Sequence, residues 1–293
     1  LFHFSPYCFV ILYDSDEAEK CWHKISIKIR NFSFFHRKKL FLFSLQYKIL
    51  YFNKLRKEFM KKKLVVLTGA GMSAESGIST FRDSGGLWEQ HNVEDVATPE
   101  GFARNPKLVL DFYNARRREL IAAEPNPGHR GLAELEKYFD VSIITQNIDN
   151  LHERAGSSHV IHLHGELMNA RSTGDPSLVY TLSPDHPDIK PGDLCEKGFQ
   201  LRPDVVWFGE PVPMINEAER ITKQADIFVI IGTSMNVYPA AGLLDVVRKN
   251  VPVYLIDPKN VYTRRYDIHH IKKGASEGVK ELTKLLVEGI TQN

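Results

Sequence analysis

The residues able to do chemistry in this chain stand at the ends of short apolar runs. Gly69-Ala70-Gly71 follows Lys63 to Thr68, and Gln146-Asn147-Ile148-Asp149 follows Val141 to Thr145. His164 and Gly165 close the run Val160 to Leu163, Gly232-Thr233-Ser234 closes Ile227 to Ile231, and Asp257 closes Val253 to Ile256. A glycine turn after a buried strand lets phosphates approach bare backbone amides at a helix N-terminus. Alone it is a weak sign of nucleotide binding, because Ala74 fills the sixth position of the G-x-G-x-x-G pattern. No acidic residue ends a second strand about 20 residues later, where a dinucleotide fold holds its ribose. An ordinary dehydrogenase fingerprint is therefore excluded. Read singly, the other candidates have plain alternatives: Asn147 and Asp149 could cap a following helix, His164 could be structural, and Arg82 could sit in a surface ion pair.

The elements that must position these residues alternate. The run Lys63 to Thr68 is β-branched and uniformly apolar, as in a strand buried on both faces of a parallel sheet. Between the apolar runs, residues 107–122, 131–139, 214–224, 239–249 and 276–288 read as helices. Strands followed by helices, with polar residues at the strand C-termini, describe a doubly wound parallel α/β sheet. Residues 168–203, polar and interrupted by Pro176, Pro184, Pro187 and Pro191, read as an insertion closed by a strand at Val205 to Phe208.

Charge and cysteine use narrow the class. Residues 1–59 hold eleven Lys/Arg and five Asp/Glu, leaving the other 234 residues with a net charge of −4. That mildly acidic body gives no support to nucleic-acid binding. Three cysteines without paired spacing (Cys8, Cys21 and Cys195) fit a reducing compartment, and a cytoplasmic location is the expectation. No run reaches 18 apolar residues, so no membrane span is expected. Residues 1–59 contain ten of the seventeen Phe and no Gly, while Met60 is the first methionine. They lack the charged start, single apolar core and cleavage site of a signal peptide. The expectation is a non-native upstream translation, poorly packed, with the natural protein starting at Met60.

Taken together, the strand ends resemble the sirtuin (Sir2) family of NAD-dependent protein-lysine deacylases. The motifs are Gly69 to Gly77, Phe81-Arg82, Gly86-Leu-Trp88, Thr145 to Asp149, His162-Leu-His-Gly165, Arg202 to Glu210 and Gly232-Thr-Ser234. They occur in the family's order across nearly all of 63–280. The resemblance implies a Rossmann-like large domain (60–97, 139–165, 204–293), a small domain formed from two insertions (98–138 and 166–203), and an active site in the cleft between them.

By the same resemblance, NAD is consumed as co-substrate, and the products are nicotinamide, free lysine and O-acyl-ADP-ribose. Asn147 and Asp149 would hold the nicotinamide amide, and Gln146 and Asn147 the ribose. Gly69, Ala70, Gly71, Ser73, Glu75, Phe81, Arg82, Trp88 and Ala275 would surround the cofactor. Gly232, Thr233 and Ser234 would contact phosphate and ribose, and Asp257 the adenosine end. His164 would be the general base on a ribose hydroxyl, suited by an ordinary pKa near 6.5. Val206, Phe208, Gly209 and Glu210 belong to the segment that pairs with an acylated protein substrate as an added strand. A monomer is expected. The alternatives are a protein ADP-ribosyltransferase using the same cleft and a non-catalytic NAD or ADP-ribose sensor.

Two features refine this. Tyr113-x-x-Arg116 with Ala97 resembles the branch that removes succinyl, malonyl or glutaryl groups. Positions i and i+3 share a helix face, and a guanidinium clamps a carboxylate bidentately. The plain alternative is a solvated face, since Arg116-Arg117-Arg118 supplies charge that would meet water anyway. The second feature is a departure. Where the family sets two Cys-x-x-Cys pairs on a structural zinc, this chain has Ser172-Thr-Gly-Asp175 and then Cys195 with Gly198. One thiolate does not make a tetrahedral zinc site, so no zinc is expected.

Overall fold

A computed structural model describes residues 61–80 and 92–291. The expectations for 1–59 and for Phe81, Arg82 and Trp88 lie outside the described residues.

The strands are β1 (Lys63–Thr68), β2 (Asp140–Thr145), β3 (Val160–His162), β4 (Gly165–Ser172), β5 (Val179–Thr181), β6 (Leu201–Val205), β7 (Ile227–Ile231), β8 (Val253–Ile256) and β9 (Ile268–Ile271). The helices are α1 (Val93–Val96), α2 (Pro99–Arg104), α3 (Pro106–Ala122), α4 (Pro127–Leu135), α5 (Leu151–Arg154), α6 (Ile215–Thr222) and α7 (Ala275–Thr291). Six strands form a parallel sheet in the order β3-β2-β1-β7-β8-β9. Each face carries its own apolar layer. Val65, Leu67, Phe228, Ile230 and Leu255 pack toward Ala218, Leu243 and Leu244. Leu64, Val66, Ile143, Val229 and Ile231 pack toward Leu132, Leu135, Val279 and Leu282. Burial on both faces is why the central strands are almost wholly apolar runs. The result is the expected Rossmann-like doubly wound sheet, with a small module beside it.

That module holds a three-stranded antiparallel sheet, β5-β4-β6, with α1 to α3 packed near it. Three helices begin with proline at the first turn behind a polar cap. Thr98 Oγ1 accepts from Gly101 N, Asn105 Oδ1 from Leu108 N, and Asn126 Oδ1 from Gly128 N and His129 N. Each cap satisfies amides the helix cannot, and proline lacks one anyway.

The insertion read at residues 168–203 contains most of β4, all of β5 and the start of β6. Three expectations are corrected. The strand read at Val205 to Phe208 lies earlier, at Leu201–Val205, and pairs with β4 in the small sheet. The helix read at 131–139 is Pro127–Leu135. The helix read at 239–249 is a 3-10 segment, Ala240–Val246.

Candidate active site

The strand ends converge on one cavity of about 650 Å³ between the parallel sheet and the small module. It is lined by Ala70, Gly71, Ser73 and Glu75 from the glycine turn, and by Gln146, Asn147 and Asp149 after β2. His164, Gly232, Ser234 and Asp257 follow from later strand ends, with Ala275 at the start of α7. The small-module side adds Ala97, Tyr113 and Arg116, and the segment after β6 adds Val206 to Glu210. Gly69 and Thr233 stand behind this lining: Gly69 O accepts from Asn147 Nδ2 at 3.1 Å, and Thr233 Oγ1 accepts from Gln146 Nε2 at 3.0 Å.

The glycine turn does something other than bare its amides. Gly69 N donates to Ile231 O at 3.0 Å and Gly71 N to Gly232 O at 2.9 Å. A Cβ on Gly71 would lie 2.7 Å from Gly232 Cα, and Gly232 itself holds φ +60°. Glycine is required here because the ends of β1 and β7 press backbone to backbone. Glu75 is also engaged, accepting from Ser276 N at 3.1 Å in the first turn of α7.

Asp149 is buried and its two oxygens are oriented separately. Oδ2 accepts from Ser73 Oγ at 2.9 Å and Oδ1 from Leu151 N at 3.2 Å, so it caps α5 as well. Each oxygen keeps a further lone pair for a donor in the cavity. Burial pushes this carboxyl above the usual carboxylate range. Asn147 does not cap the helix. Its Nδ2 donates to Gly69 O and to Ser73 Oγ, both at 3.1 Å, leaving its carbonyl oxygen to accept. Thr145 Oγ1 fixes the turn by accepting from Asn147 N at 3.0 Å.

His164 lies between β3 of the large sheet and β4 of the small one. Its Nδ1–H donates to Gln146 O at 2.8 Å, which puts the neutral tautomer's lone pair on Nε2. No described residue engages Nε2. Burial pushes the imidazole below its ordinary pKa of 6.5. His162 keeps a structural place, bonded to Asn147 O at 3.3 Å and Glu153 Oε1 at 2.8 Å.

Beneath the glycine turn are two histidines that the sequence did not mark. His129 and His152 are fully buried, with ring centroids 4.8 Å apart. Burial pushes His129 down to about 4 and His152 well below 6.5. In the unfolded chain both take up protons near pH 6.5, so their contribution is complete above that pH and is lost as pH falls toward about 4. For His129 alone the loss is on the order of 3 kcal/mol. Urea unfolding at pH 7.5 and pH 5 should show the drop, and equal midpoints would contradict it.

The three arginines of α3 part company. Arg117 is fully buried and ties α3 to the small module through Leu167 O at 2.8 Å and Pro187 O at 2.7 Å. Arg118 reaches outward to Asp188 at 2.6 Å. Arg116 lines the cavity with its side chain only 16% exposed, its Nη2 on Glu119 at 2.5 Å and its Cζ 5.7 Å from the Phe112 ring centroid. Its Nε and Nη1 are buried with no partner among the described residues. Buried donors in that condition call for an acceptor.

The segment after β6 is already tied down. Val206 N donates to His164 O at 2.9 Å, Phe208 N to Ala97 O at 3.0 Å, and Glu210 N to Trp207 O at 3.0 Å. An added substrate strand would therefore have to use the carbonyls here and the amide of Gly209. Glu210 is a structural anion rather than an open contact, paired with Arg202 at 2.7 Å and Arg171 at 3.1 Å.

At the four positions where the resemblance sets zinc ligands, the donor set does not fit a structural zinc. Ser172 Oγ accepts from Cys195 Sγ at 3.3 Å and from Asp175 N at 3.1 Å, and Asp175 pairs with Lys197 at 2.6 Å. Among the described residues no group of three or more His, Cys, Asp or Glu is placed to hold a metal, and no helix is long and apolar enough to cross a membrane.

Comparison with known proteins agrees on one family. The model of the Sir2 family matches residues 69–239. An NAD-dependent protein deacylase of Bacteroides thetaiotaomicron is 62% identical over 230 residues, covering 77% of this chain and 98% of that protein. One from Helicobacter pylori (strain J99) is 52% identical over 232 residues, covering 79% and 98%. Among solved structures, a Sir2 homologue in complex with NAD superposes with a TM-score of 0.71 at 40% identity, over 78% of this chain and 91% of that one. Sir2 bound to an acetylated peptide superposes with a TM-score of 0.65 at 28% identity, over 77% and 93%.

Proposed function

Because this chain belongs to the Sir2 family, we propose that His164 is the general base of its reaction and that Asn147 and Asp149 hold the nicotinamide amide. The chain is an NAD-dependent protein deacylase, with NAD as co-substrate and acylated protein as the other. The observation that carries the residue roles is the bond from His164 Nδ1–H to Gln146 O, which leaves a basic Nε2 at the cavity. NAD supplies an electrophilic ribose carbon and a leaving group. The residues present fit it: Asp149 offers acceptor lone pairs to a carboxamide NH₂, and Asn147, which also lines the cavity, has its Nδ2 already engaged and its amide oxygen left to accept. Gln146 and Ser234 would hold the ribose and Asp257 the adenosine end; all three line the cavity.

His164 takes a proton only when neutral. Protonation below its folded-state pKa removes the lone pair, so kcat/KM should fall on the acid side. Burial lowers that pKa, so the fall should be centred below 6.5. A pH–rate profile whose acid limb is centred above 6.5 would contradict this assignment of the base.

The finer reading is that acidic acyl groups are favoured, with Ala97 leaving room, Tyr113 donating a hydroxyl and Arg116 clamping the acyl carboxylate. The unpartnered, buried Nε and Nη1 of Arg116 support it. The test is a panel of acetyl-, malonyl- and succinyl-lysine peptides of one sequence with NAD, read by nicotinamide release and product mass. Release that does not depend on an acyl peptide would favour ADP-ribosyl transfer, and binding without release would favour a sensor. The large and small domains are proposed at the boundaries expected from sequence.

A further inference from the structure

Tyr113 is half of the proposed acyl clamp, and its hydroxyl is not left to rotate. Trp207 Nε1 lies 3.0 Å from Tyr113 Oη, both residues are buried, and both line the cavity. An indole N–H can only donate, so Tyr113 Oη must accept. The hydroxyl hydrogen then turns away from Trp207, and no described residue accepts it. Burial pushes the phenol well above its ordinary pKa, so that hydrogen is retained.

Trp207 is in turn fixed on three sides. The Arg202 guanidinium lies over its ring, with Cζ 3.2 Å from the centroid. Phe102 packs against it with ring centroids 5.3 Å apart. Its backbone N–H donates to Glu210 Oε2 at 2.8 Å, and Glu210 is itself held by Arg202 at 2.7 Å and 3.0 Å. Burial alone would raise Glu210, but its bond to Arg202 holds the carboxyl below the usual range, so the anion stays charged. A cation over an indole face and a bidentate ion pair are each modest alone. Together they leave the indole one orientation.

We propose that Trp207 is a positioning residue for acyl-group selection: its indole N–H occupies one lone pair of Tyr113 and thereby aims the Tyr113 hydroxyl hydrogen at an acyl carboxylate in the cavity. The proposal rests on the acidic-acyl reading given above. It assigns Arg202 and Glu210 to the orientation of Trp207 rather than to contact with substrate.

The experiment uses the full chain with succinyl- and acetyl-lysine peptides of one sequence at saturating NAD. Trp207→Phe keeps an aromatic ring under Arg202 and removes the N–H. It is expected to raise KM for the succinyl peptide about tenfold, with kcat nearly held. The succinyl-to-acetyl ratio of kcat/KM should fall by the same factor. In a Tyr113→Phe background, adding Trp207→Phe should leave that ratio where Tyr113→Phe alone put it. The double variant contains neither buried polar group, so it also serves if the single one folds poorly. An unchanged ratio in Trp207→Phe, or a further fall in the double variant, overturns the proposal. Arg116→Met separates the two levels. If it leaves the ratio unchanged, the acidic-acyl reading fails and this proposal with it. If it lowers the ratio while Trp207→Phe does not, only the role of Trp207 fails.

Discussion

His164→Ala is expected to lower deacylation by about a thousandfold while leaving the fold intact. General bases contribute roughly 10² to 10⁴ in rate, and no other described imidazole offers a ring nitrogen to this cavity. His162 is bonded through both nitrogens, and His129 and His152 are sealed beneath the glycine turn. The substitution removes one hydrogen bond to Gln146 O, worth about 1 kcal/mol, so unfolding should shift only slightly. On the role proposed for it, His164 acts after nicotinamide has left, so exchange of labelled nicotinamide into NAD should fall much less than product formation. Deacylation within a few-fold of the unaltered chain would remove His164 from the mechanism.

The second large effect is selective. Arg116→Met should reduce succinyl-peptide turnover by about a hundredfold, the equivalent of a charge-assisted bidentate pair, and should cost acetyl-peptide turnover far less. Methionine keeps an unbranched stem and removes the two donors that have no partner. Arg116→Lys should fall between, since an ammonium keeps the charge but not the planar fork. Measured kcat/KM for both peptides decides it. Equal losses on both would mean that Arg116 supports the cavity wall and reads nothing.

The parts of this molecule visible in its sequence are those whose physics is local. β1, β2, β7 and β8 are buried on both faces, so their runs are almost wholly apolar, with Ser142 a polar break inside β2. The small sheet was hidden for the opposite reason. β4 alternates poorly because its pairing with β6 shifts register between Glu166 and Ala170, and β6 contains Arg202, Pro203 and Asp204. Charged residues there are balanced across strands, as Arg171 is by Glu210 and Asp204. A window along the chain cannot detect such a balance. The site followed the same division. His164, Asn147 and Asp149 stand at legible strand ends. The burial of Arg117 and the bond between Trp207 and Tyr113, 94 positions apart, have no signal in spacing. Nor does the pairing of Gly71 with Gly232, which joins the glycine turn to the end of β7.

The position of His164 between the two sheets has a mechanical consequence. The chain leaves the parallel sheet at His164 and returns from the small one at Val206, and these two residues are joined by the bond from Val206 N to His164 O at 2.9 Å. Just beyond, Gly165 pairs with Val205 and holds φ +79°, with its would-be Cβ only 2.1 Å from Asp204 O. This crossing is not the only tie, since Leu167 N also donates to Ile148 O at 2.8 Å and Arg154 Nη1 to Leu120 O at 3.1 Å. His164 therefore sits within a belt of bonds that joins the two sheets. On the roles proposed above, loosening that belt would disturb the base and the acyl pocket together.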